Sequence, residues 1–463
     1  MRRYGAIALG VVAALGLAAW LGRPAASQES PSIEALAARA AELERDITRL
    51  EDVNAIKKLQ RIYGFYTDKQ LWSAAADLFS ADGTIEVGGR GVYVGRDRIR
   101  GFLALNGPEG PQPKRLFDQM QLQPIVHVAP DGQTAQGRWH VFAQEAVHGE
   151  YANWGLGVLE NEYVKENGIW KIRRHHFFTT MYTPYEAGWA KQAIPNAGPS
   201  AELPPDRPPT VAYEAYPKAF VVPFHYENPV TGPDARGGVE VAAGTATAES
   251  VAALLTALES RTGLLEDVAQ LERMNSIYGY YLAHLQWDDL TGIFSPTGTI
   301  EIAMRGVYVG SASVRRNLNL YGQATDDQFG LQHNHMQFQP VIDVAPDGQS
   351  ALMRSRALSI MGQWERYSQW MGGVYENEYV KEDGVWKIKR DQVFNTYFVP
   401  YTVGWKDSQP RPPPGITAAN PPDAPPTHPF EMYPSAFLPP FHYANPVTGQ
   451  RVEWTPPAPA TSQ

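Results

Sequence analysis

His333 and His335 stand one residue apart. In a strand that spacing puts both on one face. An imidazole near its ordinary pKa gives and takes protons at neutral pH, so the pair suits acid–base work. Two solvated or hydrogen-bonded structural histidines are a competing reading. A His-x-His metal site is a third, although the sequence locates no further ligand. Trp170 and Ile172 read as inward residues of a strand. The same parity brings Arg174 and His176 inward, and Arg390 and Gln392 in a second, similar segment. A buried Arg must be paired or must bind an anion. Asn161 and Asn377 lie on the neighbouring strand, facing it. These groups read either as a structural polar network or as the means of orienting a substrate oxygen. Tyr63, Tyr66, Tyr278 and Tyr281 lie near one helical face. Core packing is the simpler reading, and donation to a developing oxyanion the functional one. Alternation turns Glu86 and Glu301 outward, where they are expected to be solvated. No glycine-rich phosphate loop, Gly-x-Ser-x-Gly elbow or paired-carboxylate spacing stands out. Gly88-Gly89 and Gly237-Gly238 are turn or linker signals only.

The elements that must position these residues occur twice. Ile62-Tyr-Gly-Phe-Tyr66 returns about 215 residues later as Ile277-Tyr-Gly-Tyr-Tyr281. Gly83-Thr-Ile-Glu86 returns as Gly298-Thr-Ile-Glu301, and Asn161-Glu-Tyr-Val-Lys-Glu166 as Asn377-Glu-Tyr-Val-Lys-Glu382. This period is too long for a solenoid unit and matches a whole domain. The chain therefore reads as an internal pseudo-dimer whose halves pack through their sheets. Differences between the halves carry functional information.

Hydrophobic residues make up 43% of the chain, and the net charge is −9. Each half is long enough to bury a core. The scattered Lys and Arg argue against nucleic acid, which needs a clustered basic face. There is no Cys, which excludes disulfides, thiolate metal sites and Cys nucleophiles. Arg2-Arg3, the apolar run from Ala6 to Leu21 and Ala25-Ala26-Ser27 read as an export signal. We expect cleavage after residue 27 and a periplasmic protein, with no stable membrane partner. A retained N-terminal anchor is the alternative.

Ser32 to about Leu71 has the spacing of a long amphipathic helix, and Val251 to Val268 repeats it. Such a helix packs on its own sheet or pairs the two halves. A short helix, a hairpin over Thr84–Val94 and four later strands follow. Asp131-Gly132 and Asn167-Gly168 mark turns between strands. This is α+β organisation. The Pro-rich tails repeat Pro-Phe-His-Tyr at 223–226 and 440–443. A plain linker has no reason to repeat aromatics, so each tail is expected to dock as a strap. The bolder version lays each strap over the opposite half's pocket mouth, with His225 or His442 at the ligand.

A helix with Tyr-x-x-Tyr, then Trp, Leu-Phe-x-x-x-Gly-Thr-Ile-Glu, a Glu-Tyr-Val strand and a Gly-x-Trp-Lys-Ile strand resembles the SnoaL-like branch of the nuclear transport factor 2-like superfamily. The resemblance covers about 55–185 and 270–402. It implies two tandem cones, each a curved antiparallel sheet wrapped by helices around a pocket. Members resembling scytalone dehydratase use an Asp four residues before a Trp, which Asp68 matches. They also use a His on the strand ending in a Pro-Val-Ile-like run, which His335 matches. The second half has Ala283 where the first has Asp68, and the first has Gln119 where the second has His335. The family pair is thus split between the halves.

The expected organisation is a signal peptide over 1–27, a first domain over 32–192 and a strap with linker over 193–248. A second domain follows over 249–406 and a C-terminal strap over 407–463. The expected function is a cofactor-free lyase, dehydratase or isomerase moving protons on a small apolar, aromatic molecule. A non-catalytic binding or assembly protein is the alternative. His335, His333 and Asp68 are the candidate catalytic residues. Tyr66, Asn161, Arg174, His176, Tyr281, Asn377 and Arg390 are the candidate substrate-binding ones. The second half is expected to be the better catalyst.

Overall fold

The computed structural model describes residues 32–230, 247–322, 330–409 and 415–454. The expected signal segment and Gly237-Gly238 lie outside the described residues. Among the described residues no helix is long and apolar enough to cross a membrane. The first half runs α1 (Ile33–Asp68), α2 (Trp72–Ala76), β1 (Phe79–Val87), β2 (Val92–Val94), α3 (Arg96–Ala104), β3 (Arg115–Val128), β4 (Thr134–Val147), β5 (Tyr151–Glu166) and β6 (Ile169–Pro184). The second half repeats this order as α4 (Ala248–Ala283), α5 (Trp287–Gly292), β7 (Phe294–Ile302), β8 (Val307–Val309), α6 (Ser311–Leu318), β9 (Leu331–Val344), β10 (Ser350–Gln363), β11 (Tyr367–Glu382) and β12 (Val385–Pro400). Each half forms one six-stranded sheet, ordered β2-β1-β6-β5-β4-β3 and β8-β7-β12-β11-β10-β9. The last four strands of each half form an antiparallel meander. Its final strand pairs in parallel with the first, so each sheet is mixed.

Local chemistry sets these elements. Ser32 caps α1 by accepting from Ala35 N, and Thr247 and Ser250 close a reciprocal cap on α4. Asn167 and Gly168 both hold positive φ, 51° and 79°, which gives the tight turn between β5 and β6. Gly64 of the repeated Tyr-Gly motif lets α1 lie directly on β3, since a Cβ there would stand 2.6 Å from Gln121 Cγ.

The long helices do both things expected of them. Near their N-terminal ends Ala40 and Ile47 of α1 pack against Leu258 of α4. Arg261 bonds Glu51 across the pair at 2.7 Å. Further along, each helix covers a core within its own half. The halves also meet through an aromatic cluster of Trp154 and Tyr185 with Trp370, Tyr397 and Trp405. Arg356 of β10 is ion-paired with Asp68 at the end of α1 and lies 3.4 Å from Asp118.

The straps correct one expectation. Glu86 and Glu301 face out of the cones, but they are buried, not solvated. Thr210 gives Glu86 its backbone N–H and its hydroxyl, each at 2.7 Å. Thr427 does the same for Glu301. A buried carboxylate requires such donors, so the repeated Glu and the repeated tail explain each other. Glu86→Ala should therefore loosen the first strap and lower stability by about 1–3 kcal/mol. Faster proteolytic cleavage within 199–230 is the expected readout.

The strap histidines bind carboxylates of the strands. His225 Nδ1 lies 2.8 Å from Glu160, and its Nε2 lies 3.0 Å from His127 Nδ1. His442 lies 2.8 Å from Glu376 and 3.3 Å from Asp343. Burial pulls the His442 imidazolium down, but bonds and charges from Asp343 and Glu376 more than offset this, so its pKa is raised. A raised folded pKa contributes stability that is full below the unfolded value and lost as pH rises through the folded one. Melting temperature should therefore fall as pH rises above the ordinary imidazole range, and His442→Gln should remove that part of the decline.

Candidate active site

The first cone encloses a cavity of about 290 Å³. Phe117 and Gln119 of β3, Glu145 of β4, and His175, Phe177 and Tyr182 of β6 form much of its wall. Tyr63 and Thr67 of α1 close one side, and Ile194–Ala197 at the start of the strap close another. The strap thus borders its own half's cavity. His225 is not among the lining residues. An aromatic wall with a few convergent polar groups is the usual form of a small-molecule pocket.

Glu145 places a carboxyl on the wall of this cavity. One of its oxygens accepts from Gln119 Nε2 and from the Tyr182 hydroxyl, both at 3.0 Å. Burial raises its pKa, while those two hydrogen bonds and the charges of Arg115 and Arg90 act the other way. Tyr182 is driven well above its ordinary value, by burial first and then by Glu145, so it stays a donor. Gly155 on β5 makes room for it, because a Cβ there would stand 2.5 Å from Tyr182 Cζ. His175 falls to about 3, through burial first and then through His176, and it stays neutral. It packs on Tyr63 with ring centres 4.7 Å apart.

The inward placement of Arg174 and His176 is corrected. The β5–β6 register slips between Glu162 and Tyr163, and a slip of one residue flips the faces of a strand. Beyond it His175, Phe177 and Thr179 line the cavity. Arg174 pairs with Glu162 at 3.2 Å, and His176 stacks on Phe178 beneath the strap, 3.5 Å from Glu86. The second half slips at the equivalent place. Arg390 pairs with Glu378 at 2.7 Å, and Gln392 bonds strap residue Thr427 at 3.0 Å. Asp391 takes the inward position.

The other sequence candidates divide between interface and interior. Asp68 accepts from Gln119 N at 2.6 Å and turns its second oxygen to Arg356 of the other half. Tyr66 packs edge-on to Phe441 of the second strap, with ring centres 5.4 Å apart. Asn161 is buried in the sheet, where it donates to Gln60 and accepts from His176 N. Asn377 accepts from Gln392 N in the same way. Tyr281 is half-buried against the second core.

His333 and His335 are buried in the second cone, with ring centres 4.6 Å apart. His333 Nδ1 donates to Leu282 O at 2.9 Å. Its Nε2 and His335 Nδ1 lack a hydrogen-bond partner among the described residues. Burial lowers the pKa of His333, and burial with His333 lowers that of His335 much further, so both are neutral bases. Asp391 accepts from the Tyr278 hydroxyl at 2.8 Å, and burial raises it to about 7. Tyr278 contacts Tyr375, and Tyr321 contacts His333. Among the described residues no group of three or more His, Asp or Glu is placed to hold a metal ion.

A SnoaL-like domain model matches residues 48–176 and again 264–391, more than half of the chain. The chain belongs to the SnoaL-like domain family. It carries that domain in tandem, each copy a cone of the nuclear transport factor 2-like superfamily. Among solved structures, a scytalone dehydratase-like protein from Novosphingobium aromaticivorans is similar at 25% identity. The match covers 34% of this chain and 96% of that one, with a TM-score of 0.28. A hexachlorocyclohexane dehydrochlorinase of type 3 from Novosphingobium barchaimii is similar at 19% identity over 30% and 92%, with a TM-score of 0.27. A search of the curated proteins finds no significant match.

The sequence reading missed Glu145, Tyr182 and His175 in the first half and Asp391 in the second. Their signal was divergence at repeat positions. Glu145 is matched by Met361, Tyr182 by Phe398 and His175 by Asp391.

Proposed function

We propose that this SnoaL-like protein is a proton-transfer enzyme acting on a small aromatic molecule in the first cone, with Glu145 as its acid–base group. One observation carries the reading: a carboxyl of raised pKa, held by Tyr182 and Gln119, on the wall of an aromatic cavity. The family fold commonly binds small hydrophobic molecules. The cavity volume suits about one ring with a short substituent. Glu145 would take a proton from a carbon next to a carbonyl. The electron pair would move onto the carbonyl oxygen, where Tyr182 or Arg90 would meet the developing charge. Loss of a β-leaving group then completes an elimination, and return of the proton to another carbon completes an isomerisation. This chemistry draws on side chains alone. The export signal expected from the sequence would put this chemistry in the periplasm.

The test is solvent deuterium exchange into single-ring carbonyl compounds that raise the melting temperature. Exchange above background that disappears in Glu145→Gln supports the proposal. Binding without exchange or turnover would overturn it in favour of a carrier or assembly role.

A second reading places the chemistry in the second cone. It rests on His335, its partner His333 and Asp391, which carries a pKa of about 7 beside Tyr278. Tyr281 and Asn377 flank that interior. Here His335→Ala would stop exchange and Glu145→Gln would not.

A further inference from the structure

Away from the aromatic cluster, where Trp154 meets its own equivalent Trp370 and Tyr185 meets Tyr401, the halves meet through unlike faces. The first half presents the end of α1, where Phe65 is 1% exposed. The second half presents its strap face, where Phe441 is 8% exposed, and next to it Trp405, 0% exposed, which packs on Trp154 and Tyr185 of the first half. Arg354 lies over both rings, 4.8 Å from the centre of Phe65 and 4.2 Å from that of Phe441. The strap continues onto the first half, where Asn445 bonds Ala74 O at 3.0 Å. A head-to-tail contact of this kind uses one face of each unit and leaves the complementary face of each open.

The repeat names the open faces residue by residue. The equivalent of Phe65 is Tyr280, which is 71% exposed. The equivalents of Trp405 and Phe441 are Trp189 and Phe224, each 58% exposed. Val221, in the same strap, is 76% exposed. Large aromatic side chains thus stand at both open ends, at the positions that the internal contact buries. We propose that these ends bind one another between chains, the strap face of one copy receiving the α4 end of a second copy. The occupant is a second copy because the chain already contains this contact once.

Charge sets the strength of the external contact. The internal one is reinforced by ion pairs of Arg356 with Asp68, Lys58 with Asp343 and Arg61 with Glu272. Their equivalents are His140 with Ala283, Arg273 with His127, and Ser276 with Lys57. None is a pair of opposite charges. The external contact therefore keeps aromatic anchors without ionic reinforcement, and it is weaker and reversible. Repeated head to tail, it builds a ring or a filament according to the rotation between copies.

Sedimentation velocity of the full chain tests this over roughly 1 to 100 µM. The weight-average mass should rise with concentration. Phe224→Glu and Tyr280→Glu, each at an exposed site, should hold the protein as a monomer without lowering its melting temperature. Mixing the two variants should restore a dimer and nothing larger, because each retains one intact face. A wild type that stays monomeric throughout overturns the proposal, as do variants that associate like the wild type. If a segment of the same chain covers the strap face, the wild type is monomeric and Phe224→Glu melts lower.

Discussion

Replacing Arg356 by Met is expected to cost the protein about 3–5 kcal/mol of stability. Arg356 is 2% exposed, and the Asp68 and Asp118 carboxyls lie against it from the other half. Burial already pulls its pKa down to about 10, and burial raises Asp118 to about 6 against the charge of Lys69. Removing the cation strands two carboxyls in a water-poor interface. Adding Asp68→Asn should recover part of the loss, because the pair is worth less than the cost of leaving one member unpaired. Denaturant unfolding followed by tryptophan fluorescence measures this. A loss below about 1 kcal/mol would show that the interface is wetter than the structure implies. The same series tests Asp68 as a catalyst. If Asp68→Asn abolishes turnover while stability is unchanged, its role is chemical and not architectural.

Glu145→Gln should reduce turnover by about 10²- to 10⁴-fold, the usual contribution of a positioned acid–base group. Tyr182→Phe should lose less, since it removes one donor and leaves the carboxyl in place. The stability effect has the opposite sign. A glutamate whose folded pKa is raised contributes stability below its unfolded pKa and loses it as pH rises through the folded value. Wherever Glu145 is ionised it is therefore a burden, and above its folded pKa Glu145→Gln should melt higher than the wild type. The acid limb of the pH–rate profile should lie above the ordinary glutamate range. A variant that is both less stable and fully active would remove Glu145 from the mechanism.

The two cones were legible because the signals for them are local. Glycine turns, alternating strands and the Tyr-Gly motif depend on neighbouring residues, and the repeat stated each of them twice. The facing of β6 was not legible. Trp170 and Ile172 are inward as alternation requires, but the bulge between Glu162 and Tyr163 moves the inward set to His175 and Phe177. A bulge is a response to sheet curvature, and curvature belongs to the whole sheet. Asp68 was legible as a conspicuous carboxylate at a helix end. Its partner Arg356 lies 288 residues away and is His140 in the other copy.

By itself the sequence determined a tandem α+β chain of SnoaL-like domains with repeated aromatic straps, because periodicity, turn chemistry and repetition are properties of the chain. The tertiary structure decided which polar residues share a cavity, which support the interface, and which faces the straps cover. Burial and partnership fix the protonation and role of a carboxyl or imidazole. Both arise only when segments far apart in the chain are packed against one another.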